Sequence, residues 1–201
     1  PRKWKKKQII LHFGAVDWKS ELWINDKKVG IHKGGFDPFS FNITPFLNKG
    51  KMQKIELKVW DPTDDGFQPR GKQIKSPRGI WYTPVSGIWQ TVWLEPVNKK
   101  YISKIHIIPD IDNENISIKA VTSYDSKDDF LEIIINEDGK ILSKVKVRYN
   151  SEIKVPINNP KLWSPESPFL YELNIKLISK GKVIDVVESY AGMRKISINK
   201  D

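Results

Sequence analysis

Apolar and polar residues alternate with a period of two along this chain, and that pattern limits the fold more than any other feature. In the segment 54–60 the alternation places Ile55, Leu57 and Val59 on one face, as in a half-buried β-strand. Similar strand-like runs occupy residues 8–13, 21–25 and 86–96. No segment carries the 3.6-residue apolar repeat of an amphipathic helix. The sequence therefore predicts an all-β protein.

The connections between these runs carry turn signals. Residues 25–28 (Asn-Asp-Lys-Lys) and 136–140 (Asn-Glu-Asp-Gly-Lys) each join two strand-like runs and predict β-hairpins. A single helical turn is expected after residue 43, because Thr44 is a suitable N-cap, Pro45 suits the first helical position and Gly50 follows.

The chain is expected to contain two domains, residues 1–98 and residues 99–201, separated at the polar break 97–100. Seven of the eight Trp residues lie at or before Trp93, and only Trp163 follows the break. Seven short strand-like runs in the second half predict an immunoglobulin-like β-sandwich. These runs are residues 102–107, 115–122, 130–135, 144–148, 152–155, 171–178 and 183–190.

Composition excludes several classes of protein. There is no Cys, which excludes disulfides, thiolate catalysis and Cys-based zinc sites. The net charge is +10, but only five of the 34 basic residues are Arg, so the lysines indicate a solvated surface rather than nucleic-acid binding. No apolar run approaches the roughly 20 residues of a membrane helix, and we expect no membrane partner. The basic first residues lack Met and a signal peptide, which suggests a fragment.

Common catalytic and cofactor motifs are missing from the sequence. The three His residues stand apart, and no Gly-x-Ser-x-Gly segment supplies a nucleophile elbow. The glycines at 34–35 and 66–71 lack the strand and helix context of a phosphate-binding loop. Asp64 and Asp65 are adjacent, which is poor evidence for a pair of catalytic acids held across a cleft. We therefore expect no metal site and no cofactor.

The long segment 61–86 suits carbohydrate binding. It combines flat apolar rings with side chains that donate and accept hydrogen bonds, as the C–H faces and hydroxyls of a sugar require. Trp89 and Trp93 follow it at an even spacing, and this spacing predicts that both face the core of the domain. The candidate contacts from this segment are Asp61, Asp64, Arg70, Gln73 and Trp81.

Several motifs together resemble a known family. The segments 11–18, 22–30, 39–44 and 86–94 resemble the N-terminal sugar-binding jelly roll of glycoside hydrolase family 2, which contains β-galactosidases and β-glucuronidases. Residues 162–171 and 192–196 resemble the late part of the immunoglobulin-like domain that follows and the stretch that leads into the catalytic barrel. The resemblance implies a partial jelly-roll β-sandwich, lacking its N-terminal part, followed by an immunoglobulin-like β-sandwich.

In this family two Glu residues of a (β/α)₈ barrel perform retaining hydrolysis. Because this chain has no barrel, the resemblance implies a non-catalytic region that packs on the enzyme's own barrel and lends a loop to the substrate rim. In some members an Asp of that loop bonds sugar hydroxyls, and the matching position is Asp61 first and Asp64 second. In a glucuronidase, Arg70 or Lys72 could face the substrate carboxylate.

Three further expectations stay open at this point. The two domains could instead form a stand-alone carbohydrate-binding module without hydrolase activity. An incomplete jelly roll would leave an open sheet edge, through which the chain could self-associate. Export of many polysaccharide-degrading family members favours the periplasm or the cell exterior.

Overall fold

A computed structural model describes residues 1–124, 128–148 and 151–198. The chain divides into two compact units, Pro1–Val97 and Asn98–Asp201. Over the described ranges, the regular structure consists of fifteen β-strands and two three-residue 3₁₀ turns, Arg2–Trp4 and Thr44–Phe46. The all-β prediction is therefore confirmed. The same ranges hold no helix with the length and apolar character needed to cross a membrane.

The first unit is built from two antiparallel sheets of three strands and one short strand pair. The sheets have the orders β5-β1-β8 and β4-β3-β6, and β2 pairs with β7. The strands are β1 (Gln8–Phe13), β2 (Val16–Asp17), β3 (Lys19–Ile24), β4 (Lys27–Lys33), β5 (Phe39–Asn42), β6 (Ile55–Trp60), β7 (Gly87–Ile88) and β8 (Val92–Val97).

The central strands of the two sheets supply most of the core of this unit. Strand β3 alternates strictly between buried and half-buried residues, and β1 is buried at four of its six positions. A two-residue period is what a sheet with one covered face requires. The buried side chains form a single cluster that joins both sheets: Ile9, Leu11, Phe13, Val16, Leu22, Ile24 and Ile43.

The outer strands β6 and β8 leave part of this apolar face uncovered. Directly paired residues of antiparallel strands point to the same face. Ile55 lies opposite the buried Ile24, yet it is 47% exposed. Leu94 lies opposite the buried Leu11, yet it is 39% exposed. Each strand ends its sheet, so the inner face of the sandwich is open along the β6 and β8 edges.

The first predicted hairpin is confirmed. Strands β3 and β4 pair directly, and Asn25 and Asp26 connect them with φ angles of 49° and 64°. Positive φ at two successive central residues is the geometry of a tight hairpin turn, and Asn and Asp tolerate it better than most residues.

Two local predictions for the first unit were wrong in detail. Thr44 does not cap a helix: the turn is 3₁₀, its N-cap is Ile43, and the Thr44 hydroxyl instead accepts a hydrogen bond from Ile9 N at 2.7 Å. The run 86–96 is not one strand, because the chain changes partner within it. Strand β7 pairs with β2, whereas β8 pairs with β1.

The second unit is a sandwich of a three-stranded and a four-stranded antiparallel sheet, with orders β13-β10-β9 and β12-β11-β14-β15. All seven strands predicted here are confirmed, most of them longer than expected. They are β9 (Ile102–Asp110), β10 (Asn115–Thr122), β11 (Asp129–Glu137), β12 (Lys140–Arg148), β13 (Glu152–Pro156), β14 (Tyr171–Ser179) and β15 (Lys182–Ala191). The Asp138-Gly139 turn joins β11 to β12, as predicted.

The core of the second unit is larger than that of the first. Its buried cluster has fifteen members in the described part of the chain, against seven in the first unit. Residues of β11 and β14 alternate into it, including Ile133 and Ile175, which are paired in register. The Tyr171 side chain is also buried there, and its hydroxyl accepts a hydrogen bond from Lys161 N at 2.8 Å.

Candidate functional site

The segment between β6 and β7 is held together at its base by Asp61. One carboxylate oxygen of Asp61 accepts a hydrogen bond from Thr63 N at 2.8 Å, which forms a local turn. The other accepts one from the Ser86 hydroxyl at 2.7 Å. Because Ser86 lies 25 residues further on, this bond closes the two ends of the segment on each other.

The middle of the segment folds back on itself without forming a regular β-strand. Ile74 N donates to Tyr82 O at 3.2 Å, and Tyr82 N donates to Lys72 O at 2.8 Å. The Gln73 side-chain oxygen accepts a hydrogen bond from Val85 N at 2.6 Å. Residues 61–86, which we call the rim loop, are therefore tied by their own backbone and side chains, as in a compact functional loop.

A cavity of about 350 Å³ opens where the rim loop meets β2 and β7. Its wall is mostly apolar, with three polar side chains among the lining residues. These residues are Asp17, Phe36, Gln73, Val85, Ser86, Gly87, Ile88 and Trp89. A concave apolar wall with a few placed polar groups is typical of small-molecule sites.

Asp17 lines this cavity and has one carboxylate oxygen that forms no hydrogen bond. Its Oδ1 atom is shielded from solvent and has no hydrogen-bond partner within the protein. Burial raises the pKa of the Asp17 carboxyl above its ordinary value, and the nearby Asp61 carboxylate raises it further.

Two aromatic rings form the other side of the cavity. Phe36 and Trp89 meet edge to face, with ring centroids 5.7 Å apart. The indole N–H of Trp89 donates to Gly35 O at 2.6 Å, which fixes the ring against the loop after β4. A Cβ at position 35 would stand 2.7 Å from Asp17 Oδ1, so a larger residue there would require the Asp17 side chain to move.

The structure brings some of the predicted site residues together and separates others. Gln73 lines the cavity, and Asp61 is linked to it through Ser86. Asp64 accepts a hydrogen bond from Lys75 N at 3.2 Å. Three candidates lie on the rim loop but do not line the cavity: Arg70, Lys72 and Trp81.

The prediction that Trp89 and Trp93 face the core was wrong. Trp89 is 51% exposed and Trp93 is 45% exposed. Trp89 lies between β7 and β8, outside any strand. Trp93 lies on an edge strand and stacks on His12, with ring centroids 4.7 Å apart and planes within 4°. Even spacing places side chains on one face only within a continuous strand, and it does not tell which face a neighbouring layer covers.

Sequence reasoning missed Asp17, Phe36 and the cavity role of Trp89. Asp17 lies on a two-residue strand and Phe36 in the loop after β4, so neither stands in a polar cluster along the chain. The adjacent Gly34 and Gly35 were the available signal, since paired glycines often mark a close backbone approach. In the described ranges, no group of three or more His, Cys, Asp or Glu side chains has the arrangement of a metal site.

Two family models match the chain, one on each unit. The model described as "Glycosyl hydrolases family 2, sugar binding domain" matches residues 1–96. The model described as "Glycosyl hydrolases family 2" matches residues 100–194. Between them they cover nearly the whole sequence.

Relatives of known name agree with this assignment. The chain is 27% identical to a β-galactosidase of Thermoanaerobacter pseudethanolicus over 99% of its length and 28% of that protein. It is 26% identical to a β-glucuronidase of Formosa agariphila, covering all of this chain and 23% of the relative. A crystal structure of a β-glycosidase from Bacteroides vulgatus superposes with a TM-score of 0.79 and 28% identity, over 99% of this chain and 25% of the other. The chain thus spans about a quarter of these proteins, and it belongs to glycoside hydrolase family 2.

Proposed function

We propose that this chain is a non-catalytic region of a β-galactosidase-like glycoside hydrolase, which cleaves O-glycosyl bonds. In this proposal the two units pack on the enzyme's catalytic barrel, and the rim loop borders the substrate site. The observation that carries it is the rim loop itself, which Asp61 closes at its base beside an apolar cavity. Relatives named β-galactosidase and β-glucuronidase, each about four times as long, support it.

In the proposed enzyme, the carboxyl groups that perform hydrolysis differ from the carboxylate that holds the rim loop. Retaining hydrolysis needs one carboxylic acid to protonate the leaving oxygen and one carboxylate to attack the sugar, about 5 Å apart. Asp61 is committed to Thr63 and Ser86, so its proposed role is to hold the rim loop and accept hydroxyl hydrogen bonds with its remaining lone pairs. Asp64, Arg70, Lys72, Gln73 and Trp81 are the other proposed contacts along the rim loop.

The complete reading frame of the gene that encodes this chain, and the activity of its product, test the proposal. We expect its reading frame to encode a (β/α)₈ barrel of roughly 250 residues in addition to these two units. The product of the complete frame should hydrolyse aryl β-glycosides, and the 201-residue chain alone should not. A complete frame without a barrel, or hydrolysis by the 201 residues alone, would contradict the proposal.

A second candidate function is a carbohydrate-binding module that acts without a barrel. The exposed aromatic side chains of the first unit favour it, because Trp81 and Trp89 present their rings to solvent near the rim loop. This module would hold sugars by stacking and hydrogen bonds alone. Titration of the chain with millimolar galactosides and glucuronides, followed by tryptophan fluorescence, tests it. Unchanged fluorescence with every sugar would count against this candidate.

We also propose that the chain self-associates with a second copy through the β6 and β8 edges. Each edge offers unpaired backbone groups beside uncovered apolar residues such as Ile55 and Leu94. Light scattering should then give a mass of at least twice 23.3 kDa, and Val59→Lys, which places a charge on the open β6 face, should lower it. A monodisperse monomer would contradict this proposal.

A further inference from the structure

The positive charge of this chain is concentrated at one end of the first unit. The segments 1–7, 25–28 and 44–54 together contain ten basic residues and one acidic residue, Asp26. The rest of the sequence contains 24 basic and 23 acidic residues, so its charges nearly cancel. Nine of the ten net positive charges therefore belong to these three segments, and the lysines do not form an evenly spread solvated surface.

The fold brings these segments together at the end of the unit opposite the rim loop. Ile24 ends β3 before the hairpin turn and pairs with Ile55, the first residue of β6, so the turn and the loop before β6 are neighbours. Ile9, near the start of β1, donates through its backbone N–H to the Thr44 hydroxyl, which places the first segment beside the same loop. The rim loop follows the other end of β6. We call the three segments the basic end.

Most lysines of the basic end are exposed and have no acidic partner. Eight are exposed, of which Lys28 pairs with Glu21 and Lys54 pairs with two carboxylates. The other six form no ion pair in the described part of the chain: Lys3, Lys5, Lys6, Lys27, Lys49 and Lys51. Like charges gathered at one end repel each other, and an anionic partner would relieve this repulsion.

The loop before β6 presents an apolar side chain among these lysines. Gln53 fixes the loop, because its side-chain oxygen accepts from Asn48 N and its amide donates to Asn48 O, each at 2.8 Å. The Asn25 amide donates to the same Gln53 oxygen at 2.8 Å, which ties the loop to the hairpin turn. Met52 directly follows Lys51 in this loop and is 96% exposed.

These features favour a lipid surface over other polyanions. Single-stranded nucleic acids stack on exposed aromatic rings, but the two rings of the basic end, Trp4 and Phe46, are half-buried against the core. Acidic polysaccharides carry hydroxyls that need acceptors, whereas Gln53 and Asp26 use side-chain oxygens within the protein. A bilayer interface accepts lysines at its headgroups and an apolar side chain below them.

From the charge, the exposure and the loop geometry we infer that the basic end docks on a membrane surface that carries anionic phospholipids. The lysines contact the lipid phosphates as point charges, and Met52 enters the interface between them. We expected no membrane partner because no segment could span a bilayer, but docking on a surface needs no spanning segment. Docking here is independent of the proposed function, because the basic end and the rim loop lie at opposite ends of the unit.

Vesicles of two compositions test this docking surface. Binding of the 201-residue chain is measured by co-sedimentation with vesicles of phosphatidylcholine alone and of an equal mixture of phosphatidylcholine and phosphatidylglycerol. Binding to the mixed vesicles should be at least about tenfold stronger and should weaken as the salt concentration rises. No binding to the mixed vesicles, or equal binding to both, would overturn the inference.

A repeated tripeptide supplies matched variants for the same measurement. Lys-Gly-Lys occurs in the basic end and again where β14 turns into β15, and all four lysines are exposed. Because each lysine near the lipid surface contributes about fivefold, Lys49→Gln with Lys51→Gln should weaken binding about 25-fold. Lys180→Gln with Lys182→Gln removes the same charge from the second unit and should leave binding unchanged. Equal losses in the two double variants would show that net charge, not the basic end, determines binding, and would overturn the inference.

Met52→Ser distinguishes a lipid surface from a soluble polyanion. It should weaken binding to the mixed vesicles about fivefold, because an apolar side chain no longer enters the interface. Retention on heparin, a soluble sulfated polysaccharide, depends on charge alone and should not change in this variant. Unchanged vesicle binding by Met52→Ser would overturn the inference, as would a parent chain that binds heparin or duplex DNA but not the mixed vesicles.

Discussion

Asp17 couples the cavity to the stability of the first unit. Its pKa is raised by burial and by the Asp61 carboxylate, so the folded chain holds this proton more tightly than the unfolded chain does. The contribution of Asp17 to stability is then greatest below the ordinary value of 3.8 and falls as the pH rises through the raised pKa. Ionised Asp17 is a cost to folding at neutral pH.

We expect Asp17→Asn to remove the loss of stability that accompanies ionisation of the Asp17 carboxyl. Urea unfolding followed by tryptophan fluorescence, repeated from about pH 3 to pH 7, should show that the free energy of unfolding of the variant increases relative to that of the parent chain as the pH rises. Asp37→Asn is the control, because Asp37 is an exposed carboxylate in the neighbouring loop. An identical pH dependence of the free energy of unfolding in the parent chain and in Asp17→Asn would contradict the assignment of the buried carboxyl.

At the scale of strands, burial rather than apolar character decides what a side chain contributes. Ile133 on β11 is 1% exposed and packs in the core of the second unit, whereas Ile141 on β12 is 64% exposed. Ile133→Ala should lower the free energy of unfolding by about 2–5 kcal/mol, because it loses burial and leaves a void. Ile141→Ala should change it by less than about 0.5 kcal/mol.

Chemical unfolding followed by far-UV circular dichroism measures both variants on the same scale. Equal destabilisation by Ile133→Ala and Ile141→Ala would show that the inward and outward faces of the β11–β12 pair are assigned wrongly.

The strands show which parts of the fold could be predicted from the sequence alone. Alternation identified the strands of the second unit, and the turn-forming residues identified the Asp138-Gly139 turn, because both signals are local. It did not reveal that the chain changes partner after Ile88, because pairing depends on distant segments. The cavity was hidden for the same reason: Asp17, Phe36 and Trp89 come from three separate parts of the chain.

At the scale of the whole molecule, the two units differ in how completely their cores are covered. The first has a smaller buried cluster and an open inner face along β6 and β8, and the second has a cluster about twice as large. Because stability rises with the apolar area removed from water, we expect the first unit to unfold before the second.

Two optical probes should separate these steps. Tryptophan fluorescence reports mainly on the first unit, which holds seven of the eight Trp residues, whereas far-UV circular dichroism reports on all strands. The fluorescence midpoint should fall at a lower urea concentration than the circular dichroism midpoint. Coincident transitions would mean that the two units unfold as one cooperative body.

The proposed role of the rim loop is to border the substrate site of a glycosidase. Its most direct test is the hydrolysis of an aryl β-glycoside by the product of the complete reading frame, compared between the parent enzyme, Asp61→Asn and Asp65→Asn. Losing a rim contact should raise KM about tenfold in Asp61→Asn with kcat little changed, and Asp65→Asn should behave as the parent. Ser86→Ala removes the hydrogen bond that closes the rim loop but keeps the Asp61 carboxylate. It therefore distinguishes an effect of loop position from the loss of a sugar contact. Unchanged KM in Asp61→Asn and Ser86→Ala alike would contradict the claim.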